Sequence, residues 1–338
     1  MKKYRGGALI GIVFLFFILS GCLSDKTSTT EGKSDLTAVK VMLMPYLSFA
    51  PLFIAQEEGY FEENGIEVEF IKFGSPVQAM PALIQGDLDV ATGGITSSLF
   101  NAISRGSNLK IVADKGQLHS RCSNAAILVN KELFESGEIS EIAHLEGKKL
   151  ALEDFGGWGF VYSQILSMGN LELEDIESTL MSPPNRIAAL SSKAVVGVQL
   201  GEPLITKLTE DGMAVKLVGY EEVVPELQIA YLVFGPNLLD EDPELGKRFM
   251  VAYLKGVRQF NEGKTERNIE IIQNYTHLDG DLINRACWIY INPNGYPNTN
   301  SLLIIQKWGY DNGYVDDLVS EDQLFDMSFA DYAKDVLS

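Results

Sequence analysis

The side chains best suited to chemistry stand in short loops rich in glycine, hydroxyls and rings. Pro45-Tyr46-Leu47-Ser48-Phe49-Ala50-Pro51 gathers a phenol, a hydroxyl and a phenyl ring. Tyr46 and Phe49 can stack on a planar ligand while Ser48 hydrogen-bonds to it. Helix capping accounts for the same residues in a plainer way, with Ser48 as N-cap and Pro51 in the first turn. Thr92-Gly93-Gly94-Ile95-Thr96-Ser97-Ser98 is a glycine-pair turn opening a helix. Backbone NH groups at Gly94, Thr96 and Ser97 would there suit an anion or a carbonyl.

Asp154-Phe155-Gly156-Gly157-Trp158-Gly159 repeats this logic further along the chain. Gly156, Gly157 and Gly159 leave Trp158 few local side chains to pack against, which suits a ring that closes over a ligand. A core tryptophan is the alternative. No lysine follows with the spacing of a phosphate loop. Arg186, in Ser182-Pro183-Pro184-Asn185-Arg186, suits either a bidentate grip on an anion or a solvated first turn. Glu202, in Gly201-Glu202-Pro203, suits either an amine or aminopyrimidine ligand or the positive end of the helix it opens.

Catalytic and metal chemistry find no footing. His119, His144 and His277 have no partner at metal-ligand spacing, and no Gly-x-Ser-x-Gly elbow is present. No catalytic residue, metal or cofactor is therefore expected. Cys122 and Cys287 could pair in an oxidising compartment, but two lone cysteines far apart do not make a disulfide framework.

The elements that must position these loops alternate. Val39–Met44, Ile66–Ile71, Leu88–Ala91 and Leu109–Ala113 read as strands, with helices over Pro51–Phe61, Pro76–Gln85 and Thr96–Ser104 between them. A second series runs from Ala125–Val129 through Lys149–Leu152, Glu177–Met181, Val195–Gln199 and Ala214–Val218. Leu227–Phe234 is an apolar strand leading into an all-helical remainder. Alternation of this kind implies mainly parallel sheets flanked by helices, with ligands at the carboxyl ends of the strands. Two series imply two lobes, and the apolar strands at about 125–129 and 228–234 would cross between them.

The amino terminus sets the compartment. Lys2, Lys3 and Arg5 precede an apolar run from Ala8 to Leu19 and then Leu19-Ser20-Gly21-Cys22, the layout of a secretory signal. Its core of about a dozen residues falls short of the ~20 that span a bilayer. An uncleaved helical anchor is the competing reading, and either one leaves the folded part outside the cytoplasm. Residues 23–36 are nearly all small or polar and read as a flexible tether. The expected organisation is a signal at 1–22, the tether, lobe I at 37–125 and 227–338, and lobe II at 126–226. A formal charge of −19, or −22 once those three basic residues are removed, argues against nucleic acid as a partner.

Several stretches resemble the SsuA/THI5-like (NMT1-like) family of substrate-binding proteins, the nitrate, sulfonate, taurine and thiamine-precursor group. They are Gly59-Tyr60-Phe61-Glu62-Glu63-Asn64-Gly65-Ile66-Glu67-Val68, Ala82-Leu83-Ile84-Gln85-Gly86-Asp87-Leu88-Asp89-Val90 and Leu145-Glu146-Gly147-Lys148-Lys149-Leu150-Ala151. Glu202-Pro203 and Asn292-Pro293-Asn294-Gly295-Tyr296-Pro297-Asn298 complete the ordered set. Leu19-Ser20-Gly21-Cys22 likewise resembles a prokaryotic lipobox, with Cys22 as the lipidated residue. The resemblance implies a type II periplasmic-binding fold, two lobes joined by two crossover strands, with a small molecule in the cleft. It further implies a monomeric, lipid-anchored binding protein that works with the permease and ATPase subunits of an ABC importer. The ligand would be pyrimidine-like or sulfonate-like, and the residues lean slightly to the planar heterocycle. The Cys-Cys-Cys-Phe-Cys motif of the family's pyrimidine-making branch is absent. An exported enzyme or a sensory domain on the same scaffold is the rival reading.

Overall fold

The strands appear where alternation and apolar runs place them, and they form two separate five-stranded sheets. The computed structural model describes residues 36–44, 46–94, 96–119, 122–153 and 155–338. The expected secretory signal, Cys22 and all but the last residue of the expected tether lie outside the described residues. The first sheet holds β1 (Thr37–Leu43), β2 (Ile66–Lys72), β3 (Val90–Gly94), β4 (Lys110–Gln117) and β10 (Gln228–Phe234), ordered β2-β1-β3-β10-β4. The second holds β5 (Ala125–Asn130), β6 (Lys149–Leu152), β7 (Glu177–Leu180), β8 (Gly197–Gly201) and β9 (Ala214–Gly219), ordered β7-β6-β8-β5-β9.

In each sheet one strand runs against its neighbours. β10 pairs antiparallel with β3 and β4, and β5 pairs antiparallel with β8 and β9. These are the strands reached directly from the other sheet. The chain passes across twice, between Gln117 and Ala125 and again between Gly219 and Gln228. The strands expected to cross, at about 125–129 and 228–234, are full sheet members; the crossing is made by the segments before them. Those segments meet, since Leu118 N donates to Leu227 O at 2.9 Å.

Helix ends follow the local chemistry. Ser75 caps Pro76–Gln85 through the Gln78 NH, and Gly86 closes it in the left-handed conformation at φ 77°. The single helix expected over Pro51–Phe61 is two, Ala50–Glu57 and Tyr60–Glu63, because Gly59 between them sits at φ 75°. Asp242 caps the long helix Pro243–Phe260, whose apolar face carries Phe249, Tyr253 and Val257 into the first lobe's core. One continuous apolar cluster includes these residues and also Trp158, Tyr162 and Tyr220 of the second sheet's loops and helices.

Cys122 and Cys287 are joined as a disulfide, with Cα atoms 5.9 Å apart and 165 residues of separation. Two cysteines this far apart form no framework from which spacing alone predicts the pairing. The fold supplies one, because the closed loop encloses the entire second sheet and returns beside the first crossing.

Candidate functional site

The segments after the carboxyl ends of β1, β3, β6, β7 and β9 meet one another between the sheets. After β1, a short turn at Leu47–Phe49 leads into the helix Ala50–Glu57. Phe49 is fully buried and Tyr46 half-buried. The deepest polar group on this side is Lys115 of β4, which is fully buried. Its ammonium donates to Ser48 Oγ at 2.8 Å and lies 3.7 Å from the centroid of the Phe49 ring. Burial pushes the Lys115 pKa well below that of an ordinary lysine, and the charge of Asp114 opposes the shift. An ammonium has three protons to donate, and a single hydrogen bond is formed among the described residues.

Asp114 points the other way from the same strand. It accepts from Gly116 N, Gln228 Nε2, Asn292 N and Gln117 Nε2 at 2.7–3.0 Å. Burial still pushes its carboxyl up to about 6, against the pull of those four donors.

The second lobe contributes Glu153, Trp158, Arg186 and Tyr220. Arg186 begins in the first turn of the helix Pro183–Ser191 but is 2% exposed, so the solvated reading of this arginine is excluded. Its Nη1 donates to Gln199 O at 2.7 Å and to Gln199 Oε1, and its Nη2 lies 3.7 Å from Glu153 Oε2. Arg186 Nε is buried without a hydrogen-bond partner among the described residues. Tyr46 reaches this pair from the opposite lobe: burial raises its phenol pKa, Glu153 raises it further and Arg186 lowers it.

Trp158 is packed into the continuous apolar cluster. It is 7% exposed and its ring centroid lies 5.7 Å from that of the buried Tyr220. On its other side it covers Gly94 of β3, where a Cβ would stand 3.6 Å from Trp158 Cζ2. At that distance a Cβ would make an ordinary van der Waals contact with the indole. Gly159 is the tighter approach, since Cη2 of Trp308 in the helix Thr299–Asp311 lies 2.3 Å from where a Cβ would be. Trp308 stacks on Tyr314 at 5.6 Å, and Tyr314 on Phe155 at 6.4 Å, which carries the contact back to the second lobe.

The remaining residues singled out from sequence divide. Gly156 and Gly157 form the turn that delivers Trp158. Thr96 N-caps the helix that Ser97 begins, and its hydroxyl shares a hydrogen bond with Ser98 Oγ at 2.8 Å. Glu202 stands apart. Its carboxylate accepts from Thr206 N and Oγ1 at 3.1 and 2.9 Å and from Cys287 N at 3.3 Å. It lines a cavity of about 690 Å³ beside the disulfide that includes none of Tyr46, Ser48, Lys115, Trp158 and Arg186. Sequence reasoning missed Lys115, Glu153 and Tyr220. The available signal was a charged pair, Asp114-Lys115, inside an otherwise apolar strand, together with Glu153 and Tyr220 directly after the ends of β6 and β9.

The NMT1/THI5-like family pattern matches residues 47–263, well over half of the chain. The protein belongs to that family. Among its relatives, the putative binding protein YtlA of Bacillus subtilis is 24% identical over 309 residues, covering 90% of this chain and 87% of that protein. The taurine-binding periplasmic protein of Escherichia coli is 26% identical over 217 residues, 63% of each chain. The periplasmic nitrate-binding protein NrtA from Synechocystis shares the fold with a TM-score of 0.73 at 16% identity, covering 90% of each chain. The architecture of this family member is therefore the two-lobed α/β fold of periplasmic binding proteins. That fold also serves chemistry: the desulfurization enzyme DSZB superposes with a TM-score of 0.65 at 14% identity, over 89% of this chain and 99% of that one. Among the described residues, no group of three His, Cys, Asp or Glu side chains is placed to hold a metal.

Proposed function

We propose that the protein is the ligand-capturing component of an ABC-type importer and that it takes a small organic anion, sulfonate-like, between its lobes. The observation that carries the ligand class is the Lys115 ammonium, enclosed by protein and facing Ser48 with a single hydrogen bond among the described residues. A buried cation costs free energy unless matched, and an oxyanion with several acceptor oxygens matches it. Arg186 Nε, also buried without a partner among the described residues, adds donor capacity in the second lobe. The names of relatives agree, since taurine is a sulfonate and nitrate an oxyanion. The heterocyclic alternative loses its main polar anchor, because Glu202 lies in a different cavity.

In this reading Tyr46, Ser48, Lys115 and Gly94 receive the anion on the first lobe, and Trp158, with Arg186 behind it, arrives with the second. A ligand bridging both lobes favours the closed state by its differential affinity, and that state is what the permease and ATPase would recognise. The protein would act as a monomer on the outer side of the cell membrane, tethered through a lipid on Cys22. Labelling with a radioactive fatty acid should mark the wild-type chain and spare Cys22→Ala.

A thermal-shift panel of taurine, ethanesulfonate, nitrate and aminopyrimidines tests the ligand class. Sulfonates should raise the melting temperature of the wild type and leave Lys115→Met unmoved. A shift with aminopyrimidines alone would transfer the cleft to a heterocycle. Release of sulfite from taurine would make the protein an enzyme.

A further inference from the structure

The cavity of about 690 Å³ on the hinge side takes its walls from both lobes. Glu202, Thr206 and Thr209 come from the second lobe, and Phe260, Lys264 and Trp288 from the helical part of the first. It lies away from the anion cleft. Gln117, which lines it, bonds to Asp114, whereas Lys115 turns from the same strand toward Ser48.

Two features of its lining point to a ligand. Glu202 is only 9% exposed, and the groups that donate to it are the neutral NH and hydroxyl of Thr206 and the NH of Cys287. The nearby cations make their hydrogen bonds elsewhere, although the charge of Lys264 acts on Glu202. Lys264 donates to the carbonyls of Asn284 and Ala286 at 2.6 and 2.8 Å. Arg285 grips Glu210 through both Nε and Nη2, and Lys216 is held by Ser123 and Glu222. Among the described residues the buried carboxylate thus has no cation hydrogen-bonded to it. Beside it, Phe260 and Trp288 stack at 4.9 Å and 12°, giving the cavity a flat aromatic wall.

The geometry points to a second binding site, distinct from the cleft, that takes a planar aromatic cation. The charged group would meet Glu202 in a charge-assisted hydrogen bond, and the ring would lie on the Phe260–Trp288 wall. Benzamidine is a suitable probe, since its flat amidinium can offer two NH donors to one carboxylate. Isothermal titration of the disulfide-bonded mature protein should give saturable binding. Affinity should fall at least tenfold for Glu202→Gln and for Thr209→Trp, which fills the cavity without altering its charge. Uncharged benzamide should bind at least tenfold more weakly, and Lys115→Met should leave benzamidine binding unchanged. Each variant is scored with its melting temperature, so that loss of fold is not read as loss of site. The inference is overturned by an absence of saturable binding, by equal affinity for benzamide, or by binding that Lys115→Met removes and Thr209→Trp leaves intact. The anion cleft is tested separately with taurine, so either site can fail alone.

Discussion

An ammonium enclosed by protein keeps its proton only while something nearby rewards the charge. For Lys115 the described rewards are one hydroxyl, one ring face and the field of Asp114. Charge-assisted hydrogen bonds contribute roughly 1.5–3 kcal/mol each, so losing this cation should weaken sulfonate binding about ten- to a hundredfold. Lys115→Met, titrated with taurine, measures that loss; unchanged affinity would place the anion elsewhere. The sign of the pH dependence follows from the lowered pKa. The charge is present at low pH and disappears as pH rises through a value well below the usual lysine range. Sulfonate affinity of the wild type should therefore fall as pH rises through a range in which an ordinary lysine is still protonated, and the Lys115→Met profile should be flat there.

The same residue marks where sequence reading stops. An Asp-Lys pair inside β4 breaks the apolar pattern, and a strand ended at Ala113 leaves both outside the sheet. Only the pairing of β4 with β10, with its irregular register, shows one side chain turned to the hinge and the next to the cleft.

At the scale of elements, most of the reading was available in advance. β6 and the helix over Pro76–Gln85 agree to the residue, and Ser75 and Gly86 define the ends of the helix. The loops were legible as loops, but their common destination was not. Every segment after a parallel strand was expected to face one gap. β8 lies next to β5 in the sheet, and its following turn delivers Glu202 to the disulfide side instead. The close approaches across the cleft are also invisible in sequence. Gly159 exists for Trp308, an indole nearly 150 residues away that is brought to it by the helix Thr299–Asp311. Gly159→Ala would place a methyl 2.3 Å from Trp308 Cη2. Overpacking of this kind costs about 1–3 kcal/mol, here charged to the closed arrangement of the lobes. Taurine affinity should drop by roughly five- to a hundredfold on that cost. The melting temperature of the unliganded protein should move little by comparison. A variant that melts early and binds normally would make the Gly159–Trp308 contact purely a packing contact.

For the molecule as a whole, the disulfide is the feature that sequence reading left open. Spacing carries no information when the two cysteines are 165 residues apart, and their meeting depends on the return of the chain to the first crossing. On a chain-entropy argument, a loop of this length stabilises the native state by up to about 5 kcal/mol. Cys122→Ser with Cys287→Ser should lower the midpoint of urea unfolding without changing the pattern of ligands bound. An unchanged midpoint would mean that the enclosed lobe is held as firmly by its other contacts, such as the Arg285–Glu210 pair.

A crystal structure of the mature protein grown with ethanesulfonate would locate the bound anion. The sulfonate group should lie within hydrogen-bonding distance of both Lys115 Nζ and Ser48 Oγ, with Trp158 covering it from the other lobe. Density for the ligand in the disulfide-side cavity, or a cleft in which Lys115 has no contact with it, would contradict the account.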